Sequence, residues 1–379
     1  MKIVCDENIT LASNFFSDLG DIVFVDGRSL SREQLYDADV LLARSVTSVT
    51  QDLLKGTSVR FVGSATSGID HVDLDWLHQN GIEFSSAPGC NANSVVEYVL
   101  CAIAEIDDYW ERLEGGGQVG IVGFGHVGKC LARRLTALKI DHIIYDPWLC
   151  PEEDSFTDDL NEVLNSDVVT LHASLCHEEP WSSRHIINSL SLQEISKDSL
   201  LINAARGELI DTPALLDLFR RGFGPNVVCD VWEGEPSISQ DLLKNVRIGT
   251  PHVAGYSYDG KILGTMMLSK ALYSFLCIEH DPESICLDPP NAVKILSGTT
   301  SADTARNILR GFYRIDKDDD NLRGSLTGNV EQDSFSFDRL RSNYYERREA
   351  YGSSILDTGL ELHQLVMAER LGCKVLSDH

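Results

Sequence analysis

Short apolar runs recur along the first hundred residues, at 2–5, 22–25, 40–42, 60–63 and 82–85, each long enough for a strand. Between them lie stretches with helical spacing, near 10–19, 31–36, 50–55 and 73–80. Strands alternating with helices predict a parallel, doubly wound sheet. A long helix is expected from Ala92 to about Leu113, stopped by the glycine triplet at 115–117. A second series follows, with strands at 119–122, 140–145, 168–171, 200–203, 226–228 and 247–249. Its helices fall near 126–138, 157–164, 212–222 and 239–244. Six strands in that rhythm fit a dinucleotide-binding domain. Past Gly249 another helical pattern runs from about Tyr258 to Ile278, and the proline-bearing stretch 281–290 reads as a linker. The tail beyond mixes strand-like pieces with helical stretches near 301–313 and 335–350.

Composition narrows the class. The 379 residues are 43% hydrophobic and 24% charged, ordinary for a globular chain of two or three domains. The net charge of −26 argues against nucleic acid or an anionic membrane as partner, since both need cationic surface. The acid is concentrated ahead of the tail, because residues 290–379 hold 12 basic and 14 acidic groups. The opening MKIVCDENIT carries acids at Asp6 and Glu7, so no secretory leader is expected, and no run of about 18 apolar residues suggests a membrane span. Ten cysteines are scattered without a CxxC pair, which predicts free thiols in a reducing cytoplasm and no metal site.

The strongest local signal is Gly123-Phe124-Gly125-His126-Val127-Gly128, a G-x-G-x-x-G placed after a predicted strand and before a predicted helix. Gly123 permits the tight turn, Gly125 lets the backbone approach a pyrophosphate, and Gly128 allows close helix–strand packing. Asp146 follows at the end of the strand IIYD, where a carboxylate accepts bonds from ribose hydroxyls and repels a 2′-phosphate. NAD is therefore favoured over NADP.

A second constellation sits past three later strands: Arg206 in INAARG, Glu235 in DVWEGEP and His252 in TPHVAG. In a parallel sheet all three lie at the carboxyl edge, where ligands bind. A guanidinium holds a carboxylate bidentately, an imidazole takes a hydroxyl proton near neutral pH, and a carboxylate beside it orients the ring. Together they suit oxidation of a 2-hydroxy acid.

These motifs, in this order and spacing, resemble the D-isomer-specific 2-hydroxyacid dehydrogenases. Further pieces resemble the branch of that family that acts on a four-carbon sugar-acid phosphate, 4-phospho-D-erythronate. They are Asp6-Glu7-Asn8, Arg44-Ser45-Val46-Thr47, the stretches 61–68, 87–92 and 95–99, Tyr256 after TPHVAG, and the late NYYERRE at 343–349. The resemblance covers nearly the whole chain. It implies a Rossmann-type NAD domain (93–250) inserted in a flavodoxin-like substrate domain (1–92 with 251–289). A C-terminal α+β domain (290–379) would serve dimerisation. It implies a cytoplasmic homodimeric oxidoreductase of pyridoxal 5′-phosphate biosynthesis, with His252 as the proton donor in the reductive direction beside Arg206 and Glu235. It places NAD contacts at His126, Val127, Asp146, Ala173, Ala204, Ala205, Arg206, Asp230 and Gly255, and substrate contacts at Ser45, Thr66 and Tyr256. Two departures stand out: Ala173 replaces an expected threonine, and the glycine triplet is foreign to the family pattern.

The substrate phosphate raises its own question, because two anionic ligands must bind an acidic chain. Backbone N–H groups around 64–68 with the hydroxyls of Ser45 and Thr66 form an expected anion nest, and Arg44 is the cation beside them. Arg339, Arg341, Arg347 and Arg348 make the chain's only basic cluster, which reads either as a solvated helix face with i,i+4 pairs or as the source of Arg347 or Arg348, from this chain or a partner subunit, for the phosphate. Two alternatives remain open. One is a sister enzyme for phosphoglycerate or hydroxypyruvate, and the other is an NAD-sensing regulatory dimer on the same scaffold.

Overall fold

The computed structural model describes residues 1–149, 155–282, 292–295, 298–357 and 359–377. The chain divides into two compact units, Met1–Asn91 with Ser257–Pro289 and Ala92–Tyr256 with Pro290–His379. In the first unit, strands β1 (Lys2–Asp6), β2 (Asp21–Val25), β3 (Val40–Ala43), β4 (Phe61–Ser64) and β5 (Glu83–Ser86) form one parallel sheet, ordered β2-β1-β3-β4-β5. That is the flavodoxin-like order expected. The central strands β3 and β4 are buried throughout, which is why they read as unbroken apolar runs rather than as alternation. The returning helix Tyr258–Phe275, capped by the Ser257 hydroxyl accepting the Gly260 N–H, completes this unit. Its Ile262, Leu268 and Leu272 share a core with Ile3, Cys5, Phe15, Val40 and Phe61.

The second unit holds β6 (Gln118–Val122), β7 (Asp141–Tyr145), β8 (Phe156–Thr157), β9 (Val168–Leu171), β10 (Leu200–Asn203), β11 (Asn226–Cys229) and β12 (Ile248–Gly249). They form a parallel sheet ordered β12-β11-β10-β9-β6-β7-β8, so the strand order reverses between β6 and β9. Ligands bind at the carboxyl edge of such a switch point. The short β8 is an addition to the six expected strands. It takes Thr157, the first residue of the stretch read as helix 157–164, and the helix itself starts at Leu160, capped by Asp159.

Helix Ala92–Glu105 is mostly apolar, and 12 of its 14 residues are buried, Ser94 and Glu97 among them, as a central helix requires. The single helix expected to Leu113 is broken. Asp107 takes a left-handed φ of +44° and receives a bidentate bond from Arg247 at 2.8 and 2.9 Å, and a new helix starts at Tyr109.

The tail does not stand apart. Helix Ser301–Phe312 lays Ala302, Ala305, Ile308 and Leu309 into the core that holds helix Ala92–Glu105, so 290–379 belongs to the second unit by contact. Its strands β13 (Val293–Lys294), β14 (Ser354–Asp357) and β15 (Lys374–Ser377) are parallel, with helix Leu362–Arg370 crossing between the last two. The tail is thus βαβ-like rather than α+β. The helix expected at 335–350 is instead Val330–Ser342, preceded by Ile315–Ser325. Of the expected linker, residues 283–290 lie outside the described residues. Residues 251–256, expected with the substrate domain, stay with the second unit because the buried Asp230 anchors them.

Candidate active site

The turn after β6 separates the roles of its three glycines. Gly123 has φ +97°, and a Cβ there would meet the Ala173 nitrogen at 2.4 Å. A Cβ on Gly128 would meet the Gly123 carbonyl oxygen at 2.2 Å, whereas one on Gly125 would meet nothing within 4 Å. The chain's own packing therefore demands the first and third glycines. The second is left open for the approach of a ligand. Helix His126–Leu138 follows, and its ladder begins with the Lys129 N–H donating to the Gly125 carbonyl, so the first-turn N–H groups of His126 and Val127 have no intrahelical acceptor. Asp146 stands just past β7, where its two oxygens accept the Phe124 N–H at 2.8 Å and the Trp148 N–H at 3.1 Å. The carboxylate is thereby fixed beside the glycine turn. These residues fit a dinucleotide.

The loops after β10, β11 and β12 assemble the other half. Asn203 braces the first loop, accepting the Ala205 N–H and donating to the Arg206 carbonyl. Ala204, Ala205 and Arg206 are half-buried there, and the Arg206 guanidinium donates to the Ala205 carbonyl at 2.8 Å. Gly207 explains the contact with the next loop: a Cβ would lie 2.0 Å from the Trp232 carbonyl carbon. Trp232 in turn donates its indole N–H to the Thr250 carbonyl and its backbone N–H to Glu235 Oε1, at 2.9 and 2.7 Å. The other Glu235 oxygen lies 2.7 Å from His252 Nδ1. This pairing assigns the proton to Nδ1 and leaves Nε2 as the proton-accepting nitrogen. Burial pushes the Glu235 carboxyl up, but His252, the Trp232 N–H and the charge of Arg341 outweigh it and hold the group below the usual range. The neighbouring acid Glu233 is engaged elsewhere, by His185 Nε2 at 2.7 Å. Of the two glutamates of DVWEGEP, only Glu235 meets the His252 ring.

His252 itself is held in a left-handed conformation, φ +56°, uncommon for a non-glycine residue. Asp230 secures that turn. Its carbonyl accepts the His252 N–H at 2.7 Å, and its carboxylate accepts the N–H groups of Val253 and Ala254 and the Thr250 hydroxyl. With the residue 1% exposed, every partner of the carboxylate shown here is internal, although Asp230 was expected at the nucleotide.

Arg347 corrects the sequence reading. Rather than reaching a phosphate, it is fully buried, donating to the carbonyls of Ala254 and Ser94 and lying 3.6 Å over the Tyr313 ring. It braces the His252 turn against helix Ala92–Glu105. Beyond the half-buried Gly255, the Tyr256 hydroxyl accepts from Arg341 Nη2 at 3.3 Å, a neighbour the sequence reading did not single out. Its only signal there was membership of the basic cluster.

Ser45 and Thr66 belong to the first unit. Ser45 is exposed just past β3, and Thr66 follows β4, bonded to the Ser64 hydroxyl and donating to the Gly68 carbonyl. Arg44 donates to the buried Asp6 at 3.1 Å, so its charge is already balanced. Eight described cysteines are free thiols, and no helix of the described residues is long and apolar enough to cross a membrane.

Residues 107–254 match the model of the D-isomer specific 2-hydroxyacid dehydrogenase NAD binding domain, and residues 287–369 match a domain of unknown function, DUF3410. The chain is 42% identical to the erythronate-4-phosphate dehydrogenase of Cellvibrio japonicus, over 94% of each chain. It is 45% identical to that of Marinobacter nauticus, over 92% of this chain and 93% of the relative. The chain belongs to the erythronate-4-phosphate dehydrogenase family. Among solved structures it is similar to the D-lactate dehydrogenase of Aquifex aeolicus complexed with NAD and lactic acid, at TM-score 0.59 and 23% identity, covering 73% of this chain and 96% of that one. The NAD+-bound 3-phosphoglycerate dehydrogenase of Entamoeba histolytica gives TM-score 0.60 and 22% identity, over 73% of this chain and 95% of that one. Both share the fold. The erythronate-4-phosphate dehydrogenases match over the greater length, and they decide the family.

Proposed function

We propose that this chain oxidises 4-phospho-D-erythronate at C2, giving 2-oxo-3-hydroxy-4-phosphobutanoate, with NAD as the acceptor. The reading rests on its relatives at 42 and 45% identity, and the observation that carries the chemistry is the 2.7 Å bond between His252 Nδ1 and Glu235. With Nδ1–H committed to the carboxylate, Nε2 takes the C2 hydroxyl proton, and the fixed charge of Glu235 stabilises the imidazolium that forms. Arg206 holds the substrate carboxylate in a forked bond and polarises the reacting oxygen. The dinucleotide would lie on the Gly123–Gly128 turn with its ribose at Asp146, near Ala173, Ala204, Ala205 and Gly255. Bound there, the nicotinamide would supply the acceptor for the C2 hydride. Ser45, Thr66 and Tyr256 are the proposed substrate contacts.

NADH formation decides the matter, measured with 4-phosphoerythronate beside 3-phosphoglycerate. Faster turnover of 3-phosphoglycerate transfers the assignment to the sister enzymes, and NAD binding without turnover of any 2-hydroxy acid restores the sensor reading. We further place the enzyme in the cytoplasm, as a homodimer through residues 290–379, serving pyridoxal 5′-phosphate biosynthesis. Sedimentation equilibrium tests the dimer, and a pyridoxine requirement of a deletion strain tests the pathway.

A further inference from the structure

The site as described has a cation for the substrate carboxylate and none yet for the phosphate. Of the three arginines that the sequence offered, Arg44, Arg347 and Arg348, two are already committed, Arg44 to Asp6 and Arg347 to backbone carbonyls in the interior. Arg341 differs from both. It lies in the last turn of helix Val330–Ser342, with its side chain 17% exposed. Its guanidinium carbon sits 5.8 Å from the centroid of the Tyr256 ring, and Nη2 donates to the Tyr256 hydroxyl. Tyr344 packs edge-on to the same ring at 5.8 Å and so fixes it. Asp338, three residues earlier on the helix, lies 3.9 Å from Arg341 Nη1, beyond hydrogen-bond reach, and the buried Nε has no hydrogen-bond partner. Its charge is nevertheless felt at Glu235, the partner of His252. A partly exposed cation whose neighbour Asp338 stands beyond hydrogen-bond reach, beside a tyrosine four residues from the catalytic histidine, is placed to receive an anion.

We propose that Arg341 binds the phosphate of the substrate, at the end of the acid remote from the carboxylate held by Arg206. This rests on the dehydrogenase reading above and gives it a specificity determinant. A guanidinium matches a phosphate dianion with two parallel N–H donors, whereas erythronate without its phosphate offers only a neutral hydroxyl at that end. Arg341 therefore sets the preference for the phosphorylated acid and contributes little to the binding of the bare one.

The test is calorimetric titration of 4-phosphoerythronate and of erythronate into the NADH-loaded protein, wild type against Arg341→Ala. The expected result is a loss of about 10- to 100-fold in affinity for the phosphorylated ligand, with erythronate changed by less than about threefold. Arg341→Lys, which keeps the charge but loses the fork, should fall between. An equal loss on both ligands, or no loss on either, overturns the proposal. If the alanine variant melts early, Arg341→Gln keeps a donor for Tyr256 without the charge and carries the same readout. Turnover by the wild type is scored separately. Tight binding of 4-phosphoerythronate without NADH formation would refute the dehydrogenase reading, yet still test Arg341.

Discussion

His252 occupies a backbone conformation that costs a non-glycine residue of order 1–3 kcal/mol, and Asp230 supplies the bonds that hold it there. The strain aims one ring nitrogen at Glu235 and leaves the other for proton transfer. His252→Ala should therefore lower kcat by roughly 10²–10⁴-fold, as loss of a general base does, while NAD affinity measured by fluorescence stays within about twofold. An active alanine variant would move the proton-transfer role elsewhere. The glycine turn yields a paired prediction at the same scale. Gly125→Ala has room for its methyl group and a compatible backbone, so it should fold with little change in melting temperature and yet bind NAD more weakly. Gly128→Ala drives its methyl group into the Gly123 carbonyl and should destabilise the protein by about 1–3 kcal/mol in urea unfolding. Equal effects on the fold from both variants would show that the turn is shaped by packing alone.

At the scale of elements, the tail's helices are tied to the site through buried polar groups. Asp318, on helix Ile315–Ser325, accepts the Tyr344 hydroxyl at 2.6 Å, and Tyr344 packs on Tyr256. Burial pushes the Asp318 carboxyl up to about 6 from an ordinary 3.8. Between those values the folded chain retains a proton that the unfolded chain has released, so stability falls as pH rises across that window, by up to about 3 kcal/mol. Urea melts at pH 4 and pH 7 should show this slope, and Asp318→Asn, which keeps an acceptor for Tyr344, should flatten it. The strands were plain in the sequence because each is a short apolar run between helical spacings, and 168–171 and 200–203 match β9 and β10 to the residue. What escaped the pattern depends on partners far along the chain. The helix break at Asp107 is made by Arg247, 140 residues away. Charge alone could not tell Arg347, walled in by Tyr313 and two carbonyls, from Arg341, whose side chain stays partly exposed beside Tyr256. The placement of Arg206, Glu235 and His252 in the loops after β10, β11 and β12 was legible because strand ends can be counted. The structure separates Glu235 from its neighbour Glu233, since His185 engages Glu233 and Glu235 meets His252.

For the whole molecule, the tail's place in the second unit has a measurable result. Ala302, Ala305, Ile308, Leu309 and Tyr313 share a core with helix Ala92–Glu105, whose residues are buried on every side. A chain ending at residue 291 would bare that helix to water. It should be recovered insoluble, or soluble without a cooperative thermal transition, and a soluble, cooperatively melting fragment would show the tail to be dispensable for folding.

The order of segments along the chain is first unit, second, first, second. During synthesis β1–β5 emerge early, but the helix that closes their core starts only at Tyr258, after the whole nucleotide sheet. That sheet must in turn wait for Ser301 onward to cover its central helix. At ribosomal rates of about 5–20 residues per second, the first core stays open for many seconds, and the second unit cannot finish before the chain is nearly complete. A nascent chain of this design depends on sheltering by chaperones, and it should arrest at intermediate lengths as a ribosome-bound, protease-sensitive species rather than as a folded first domain.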